Sequence, residues 1–211
     1  MGNKDIFDEE DKKLIQEEYD SLVNNLIRCS KAGDREMIDK AFRIANEAHW
    51  NMRRKSGEPY IIHPISVAKI VNQEIGLGAR SITTALLHDV VEDTDYSLED
   101  VGRDFGPKIA TLIDGLTKIS GTYNKENTAS MQAENFRKML LTLSDDMRVI
   151  LIKIADRLHN MRTLDSMPEH KRMKIAGETI FLYAPLAHRL GLYAIKSELE
   201  DLSFKFRQPH I

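Results

Sequence analysis

Apolar residues recur along this chain at three- and four-residue steps almost from end to end, the spacing that gives an α-helix one buried face. After Asp34, which reads as an N-cap, Met37, Ile38, Ala41, Phe42, Ala45 and Ala48 form one such stripe. Pro64 has the fixed φ of a first helical residue and is followed by Val67, Ala68, Ile70 and Val71 on one face. A third helix is expected from Ala79 towards Val90. Ser97-Leu-Glu-Asp100 reads as a capping box, and Gly106 followed by Pro107 as the end of one helix and the start of the next. Residues 118–130, with Gly121, Asn124 and Asn127, are polar and aperiodic and are expected to form a loop, a natural lid or switch between helices. Helices follow over 147–164 (capped by Ser144 or Asp145), over 168–183 with a break at Pro185, and from Gly191 through Leu192, Ile195, Leu199, Leu202 and Phe206. No strand alternation and no internal repeat interrupts the pattern, which predicts a single all-α domain over residues 1–211.

Composition narrows the class. A chain of 211 residues is long enough to bury a self-sufficient core, and 42% apolar with 30% charged residues is an ordinary globular balance. No apolar run approaches the roughly 20 residues of a membrane span, and no secretory signal is evident, so the expectation is a cytoplasmic protein with no membrane partner. Cys29 is the only cysteine, which excludes an internal disulfide and a multi-cysteine metal site. The net charge of −3 argues against broad nucleic-acid binding by phosphate neutralisation. A polyanionic small molecule needs only a local basic cluster, and Arg53-Arg54-Lys55 is the obvious one. The C-terminal stretch Phe204-Lys-Phe-Arg207 follows an amphipathic helix with almost no polar tail, as expected of a cut through a longer chain.

Four residues suit a catalytic divalent ion: His63, the adjacent His88 and Asp89, and Asp156. Two imidazoles with two carboxylates form a harder ligand set than a thiolate site. Each has a plainer reading alone, since His63 before Pro64 suits a cap or core position and Asp156 a salt bridge. Around them, His88-Asp89-Val-Val-Glu92-Asp93 puts four ionisable groups in six residues behind the apolar Ala85-Leu86-Leu87. Such a group is costly to pack without an ion or substrate, the alternative being a solvated acidic helix end. Asp156, Asn160 and Thr163 share a helical stripe that reads either as a site or as a polar seam between helices. Gly57 and Pro59 mark a tight turn that delivers Arg53, Arg54, Lys55 and Ser56 close to His63, although a short basic run is by default a solvated surface.

Taken together, RRKSGEPYIIHP, ALLHDVVEDT, KIADRLHNMRTL and YAPLAHRLGLYAIKSELEDLSFKF resemble the hydrolase domain of the RelA/SpoT homologue family, in order and spacing from about Asp11 to the end. The resemblance implies an all-helical bundle of the HD metal-dependent phosphohydrolase type in which His63, His88, Asp89 and Asp156 bind one Mn²⁺. It implies Glu92 and Asp93 as the catalytic acidic pair. Arg54, Lys55, Ser56, Asn160 and Thr163 match positions that hold a guanine nucleotide, with Arg54 near the base. Arg53, Lys55 and Lys153 are the basic groups expected to neutralise phosphate charge. The implied reaction is hydrolysis of the 3′-pyrophosphate of (p)ppGpp in the stringent response, on a chain that forms the N-terminal fragment of a longer bifunctional enzyme and lacks its synthetase domain. Rival readings are another HD phosphohydrolase acting on nucleotides, a regulatory module that binds the alarmone in a hydrolase-off state, and a helical interaction domain without metal.

Overall fold

A computed structural model describes residues 7–123 and 146–207. The chain falls into two compact units, Met1–Ile152 and Lys153–Ile211. The described residues are helical, with one isolated bridge between Arg53 and Pro59 and no named strand among them. No helix among them is long and apolar enough to cross a membrane.

The first unit opens with α1 (Glu9–Asn24), started by a reciprocal capping box between Asp8 and Asp11. The helices α2 (Asp34–Ala48) and α3 (Ile62–Lys69) follow, and α3 continues through a π-turn over Ile70–Glu74. Then come α4 (Ala79–Leu87), α5 (Val90–Asp93), α6 (Leu98–Phe105) and α7 (Pro107–Tyr123). Helix α4 packs against α2, α3 and α7. All of its residues but Arg80 are buried, as befits a helix with neighbours on every side. Truncating Leu86 or Leu87, both fully buried, would leave a cavity worth about 2–5 kcal/mol.

Buried Asn72 ties two loops together. Its side-chain oxygen accepts from the Ile27 N–H at 3.1 Å, and its amide donates to the carbonyls of Ile27 and Leu77, both at 2.8 Å. Asn72→Ala leaves one donor and two acceptors without their partner at a part-buried junction and is expected to cost about 1–3 kcal/mol. Urea unfolding should show this as a lower midpoint with an unchanged slope.

Helix α8 (Met147–Arg162) runs across the boundary between the units. The second unit continues with a 3₁₀ turn over Leu164–Ser166, α9 (Glu169–Glu178), a π-turn over Thr179–Tyr183, α10 (Ala184–Arg189) and α11 (Tyr193–Arg207). Its anchor is Arg157, whose guanidinium lies 4.3 Å from the Tyr183 ring centroid and donates to Glu178 at 3.2 Å.

The all-helical reading, the capping box at Ser97 and the Gly106-Pro107 junction hold. Several boundaries are corrected. Helix α2 begins at Asp34 itself, with Gly33 as N-cap at φ +88°, where a side chain would be strained. Pro64 is the third residue of α3, not the first. Helix α4 stops at Leu87, short of Val90. The expected loop from Lys118 is helical through Tyr123, because Leu116 and Ile119 keep one face buried while Lys118 pairs with Asp114 on the other. The rest of that segment, and the caps Ser144 and Asp145, lie outside the described residues. Helix α8 ends at Arg162 rather than Leu164, and α11 starts at Tyr193 rather than Gly191. Pro185 breaks nothing: the π-turn before it and its place in the first turn of α10 remove the need for its missing N–H.

Candidate active site

Helix α4 ends on its apolar run, and His88 and Asp89 form the turn into α5. His88 is 5% exposed, with Nδ1 2.7 Å from the Ala85 carbonyl oxygen. A carbonyl only accepts, so Nδ1 carries a hydrogen, and in the neutral ring Nε2 presents its lone pair. That nitrogen stands 3.1 Å from Asp89 Oδ1. His63, from the first turn of α3, is 3% exposed and brings its Nε2 to 3.8 Å from Asp89 Oδ2. The two imidazoles meet edge to face at 5.5 Å between centroids, with ligating nitrogens within 4.8 Å of each other. A shared cation, or a second proton on the His88 ring, would bridge Nε2 and the carboxylate oxygen it faces. Two imidazoles and a carboxylate so placed are consistent with a divalent-cation site.

Three neighbours hold this group. The Tyr60 hydroxyl donates to Asp89 Oδ2 at 2.7 Å. Tyr60 in turn stacks on His49, with centroids 4.6 Å apart. Arg54 Nη1 lies 3.2 Å from His63 Nδ1. A guanidinium only donates, so His63 accepts there, and a cation ligated through this imidazole competes with Arg54 for the ring.

One turn past Asp89, the backbone N–H groups of Glu92 and Asp93 donate to the Asp89 carbonyl at 3.1 and 2.9 Å. Glu92 is exposed. Asp93 is held: its Oδ2 lies 3.3 Å from Nε2 of His49, a fully buried ring whose Nδ1 faces the Ala45 carbonyl at 3.0 Å.

The basic turn has the predicted shape. The Arg54 N–H donates to the Glu58 carbonyl at 3.0 Å, the Gly57 N–H donates to the Arg54 carbonyl at 2.9 Å, and Gly57 takes φ +98°. Its side chains part ways. Arg53 pairs with Asp11 of α1, donates to the Gly57 carbonyl at 2.8 Å and lies 5.3 Å from the Phe7 ring centroid, so it clamps the turn. Lys55 and Ser56 stand exposed at the tip.

In the second unit Asp156 is 7% exposed on α8. Lys153 Nζ donates to its Oδ2 at 2.7 Å and Asn160 Nδ2 to its Oδ1 at 2.9 Å. Burial pulls the Lys153 ammonium down, but the adjacent Asp156 carboxylate more than offsets it, and the group stays charged well above the usual lysine range. Thr163 lies just past the end of α8 and turns its hydroxyl back to the His159 carbonyl at 3.1 Å.

Within the first unit, therefore, His63, His88, Asp89 and Arg54 come together, with Asp93 linked to Asp89 through His49 and Tyr60 and Glu92 on the same turn; within the second, Asp156, Lys153 and Asn160 do. Tyr60 and His49 are functional neighbours that the sequence does not single out. Tyr60 stands inside the basic-turn motif and signals itself only as an aromatic among charges. Nothing in the local pattern around His49 pairs it with a residue 44 positions away.

A family model described as an HD domain matches residues 41–193. A probable guanosine-3′,5′-bis(diphosphate) 3′-pyrophosphohydrolase of Synechocystis sp. is 50% identical over 173 residues, covering 82% of this chain and 22% of that protein. A GTP pyrophosphokinase of Myxococcus xanthus is 50% identical over 179 residues, covering 83% of this chain and 23% of that one. A guanosine-3′,5′-bis(diphosphate) 3′-pyrophosphohydrolase of Aquifex aeolicus is 49% identical over 174 residues, covering 82% and 24%. The chain thus spans about a quarter of the length of these relatives. A solved structure of a metazoan ortholog of SpoT, described as hydrolysing ppGpp and acting in starvation responses, superposes with a TM-score of 0.56 at 26% identity, covering 81% of this chain and 95% of that one. The chain belongs to the HD-domain family and, within it, to the RelA/SpoT homologues.

Proposed function

We propose that this chain hydrolyses the 3′-pyrophosphate of (p)ppGpp, using Mn²⁺ held by His63, His88, Asp89 and Asp156. The observation that carries the reading is the convergence of two buried imidazoles on Asp89, with the Glu92-Asp93 pair one turn away. The activities by which the Synechocystis and Aquifex relatives are named, and the near-complete coverage of the ppGpp-hydrolysing metazoan chain, support the substrate. The family match across residues 41–193 supports reading 1–211 as one hydrolase domain, and the small share of each long relative supports a multidomain enzyme as its context, with synthetase and regulatory domains as partners.

The bound cation supplies acidification of a water molecule and polarisation of the attacked phosphoryl group. Glu92 or Asp93 orients that water and takes its proton, and the same pair returns a proton to the ribose 3′-oxygen as its bond to phosphorus breaks. The products are GDP from ppGpp, or GTP from pppGpp, and pyrophosphate. Lys55 and Lys153 offset phosphate charge, with Arg53 acting through the turn it clamps. Arg54, Ser56, Asn160 and Thr163 seat the guanosine part, the Arg54 guanidinium stacking on or bonding to the base.

A second reading, a nucleotide-binding module held in a hydrolase-off state, draws on the Arg54–His63 contact at 3.2 Å, which occupies a candidate ligand. The deciding experiment is product analysis after incubation with ppGpp and Mn²⁺ beside an EDTA control. GDP and pyrophosphate that appear only with metal are expected. Binding without turnover would favour the off-state module, and neither binding nor turnover would overturn both.

A further inference from the structure

Helix α4 carries the candidate metal ligands at its C-terminal end, and its other end opens on a separate feature. A cleft of about 540 Å³ lies where the N-termini of α2 and α4 face the 25–33 loop. Four cations line it: Arg28, Lys31, Arg80 and Arg148. Arg148 is paired with Asp146 at 2.6 Å. Arg28, Lys31 and Arg80 make no side-chain hydrogen bond or ion pair with any described residue. The one carboxylate in the lining is Asp34, whose Oδ2 accepts from the Lys31 backbone N–H at 3.1 Å. In a chain of net charge −3, this is a local excess of positive charge.

The backbone adds to it. Both helices start at glycines, Gly33 and Gly78, without any side-chain cap, so the positive ends of their dipoles face the cleft, although the Asp34 and Ser81 N–H groups already donate to the Lys31 and Gly78 carbonyls. Ser81 is an independent pointer. It is 2% exposed, lines the cleft, and its hydroxyl makes no hydrogen bond to any described residue. Lining the cleft, it is free to donate to a ligand there. The walls are fixed, because Asn72 bonds both Ile27 and Leu77, and Gly78 lets the Arg28 carbonyl come within 3.0 Å of where a Cβ would stand.

We propose that this cleft binds a small molecule carrying a di- or polyphosphate group, at a site distinct from the candidate metal centre. Arg28, Lys31 and Arg80 match the charge of a diphosphate, the positive ends of two helix dipoles add to it, and the Ser81 hydroxyl supplies a directed donor. The volume exceeds what a bare phosphate fills and falls within the range of about 300–1,000 Å³ usual for small-molecule pockets. The length of α4 separates the two sites, about 13 Å along its axis.

The inference goes beyond the proposed hydrolase activity and is tested without it. Inorganic pyrophosphate, and in a second arm GDP, is titrated calorimetrically into EDTA-treated protein at low salt. One saturable site is expected, weakened at least tenfold in Arg28→Ala/Arg80→Ala and about three- to tenfold in Ser81→Ala. Both arginines are exposed, so the double variant should fold as the parent does. Tighter binding of GDP would identify a nucleotide as the source of the phosphate, equal or tighter binding of pyrophosphate a bare polyphosphate. The Asp89→Ala protein, with the metal centre disrupted, should bind as the parent does. Loss of binding there, absence of saturation, or affinity unchanged by the arginine substitutions would overturn the proposal, whatever the hydrolase assay shows.

Discussion

Asp89→Ala is expected to remove both bound manganese and turnover. Asp89 is the shared neighbour of the site, 3.1 Å from His88 and 3.8 Å from His63, and it accepts from Tyr60 at 2.7 Å. Without its carboxylate the two imidazoles keep their positions but lose the anionic ligand that makes a hard cation favourable between them. A divalent ion both acidifies an attacking water and polarises the phosphoryl group, so its loss should reduce turnover to near the limit of detection. Metal content of the purified variant is the direct measurement, with circular dichroism to confirm that the helices persist. Asp89→Asn separates charge from shape, since it can keep the Tyr60 contact while weakening the metal. A variant with full manganese and full activity would remove Asp89 from the ligand set.

The second large effect should come from Glu92→Gln. This substitution keeps size and helix propensity but cannot exchange a proton, so metal content and nucleotide affinity should stay near parental values while kcat falls by roughly 10²–10⁴-fold. Asp93→Asn is the companion. Both residues are exposed, and Asp93 lies 3.3 Å from the buried His49, so their environments differ and the two need not lose equal activity. Their relative losses, together with the pH profile of each variant, would divide the roles of base and acid. Parental rates in both would take the pair out of the mechanism.

Much of this is legible in the order of residues alone. The helical class follows from the periodicity of apolar positions, and the junctions at Ser97 and Gly106-Pro107 follow from capping chemistry that depends only on neighbouring residues. The HD pair, the acidic pair and the basic turn are visible because each is contiguous. Boundaries are harder. The stretch from Lys118 reads as polar and aperiodic, yet it stays helical through Tyr123 because Leu116 and Ile119 keep one face buried. Pro185 reads as a break, but a lost backbone N–H is costly only where the helix needs it, and the preceding π-turn shifts that need.

Local pattern therefore settles which residue types the site contains and on which helices they ride. Their partners come from packing over long sequence separations. His49 meets Asp93 across 44 positions, Tyr60 meets Asp89 across 29, and Arg53 leaves its basic neighbours to clamp Asp11 across 42. The cleft at the N-termini of α2 and α4 likewise joins residues from two separate loops with Phe105 at the end of α6 and Arg148 near the start of α8. A side chain's charge and helical phase are properties of its immediate neighbours along the chain. Which donor it faces depends on how the buried α4 draws α2, α3 and α7 around itself, and only the folded packing supplies that.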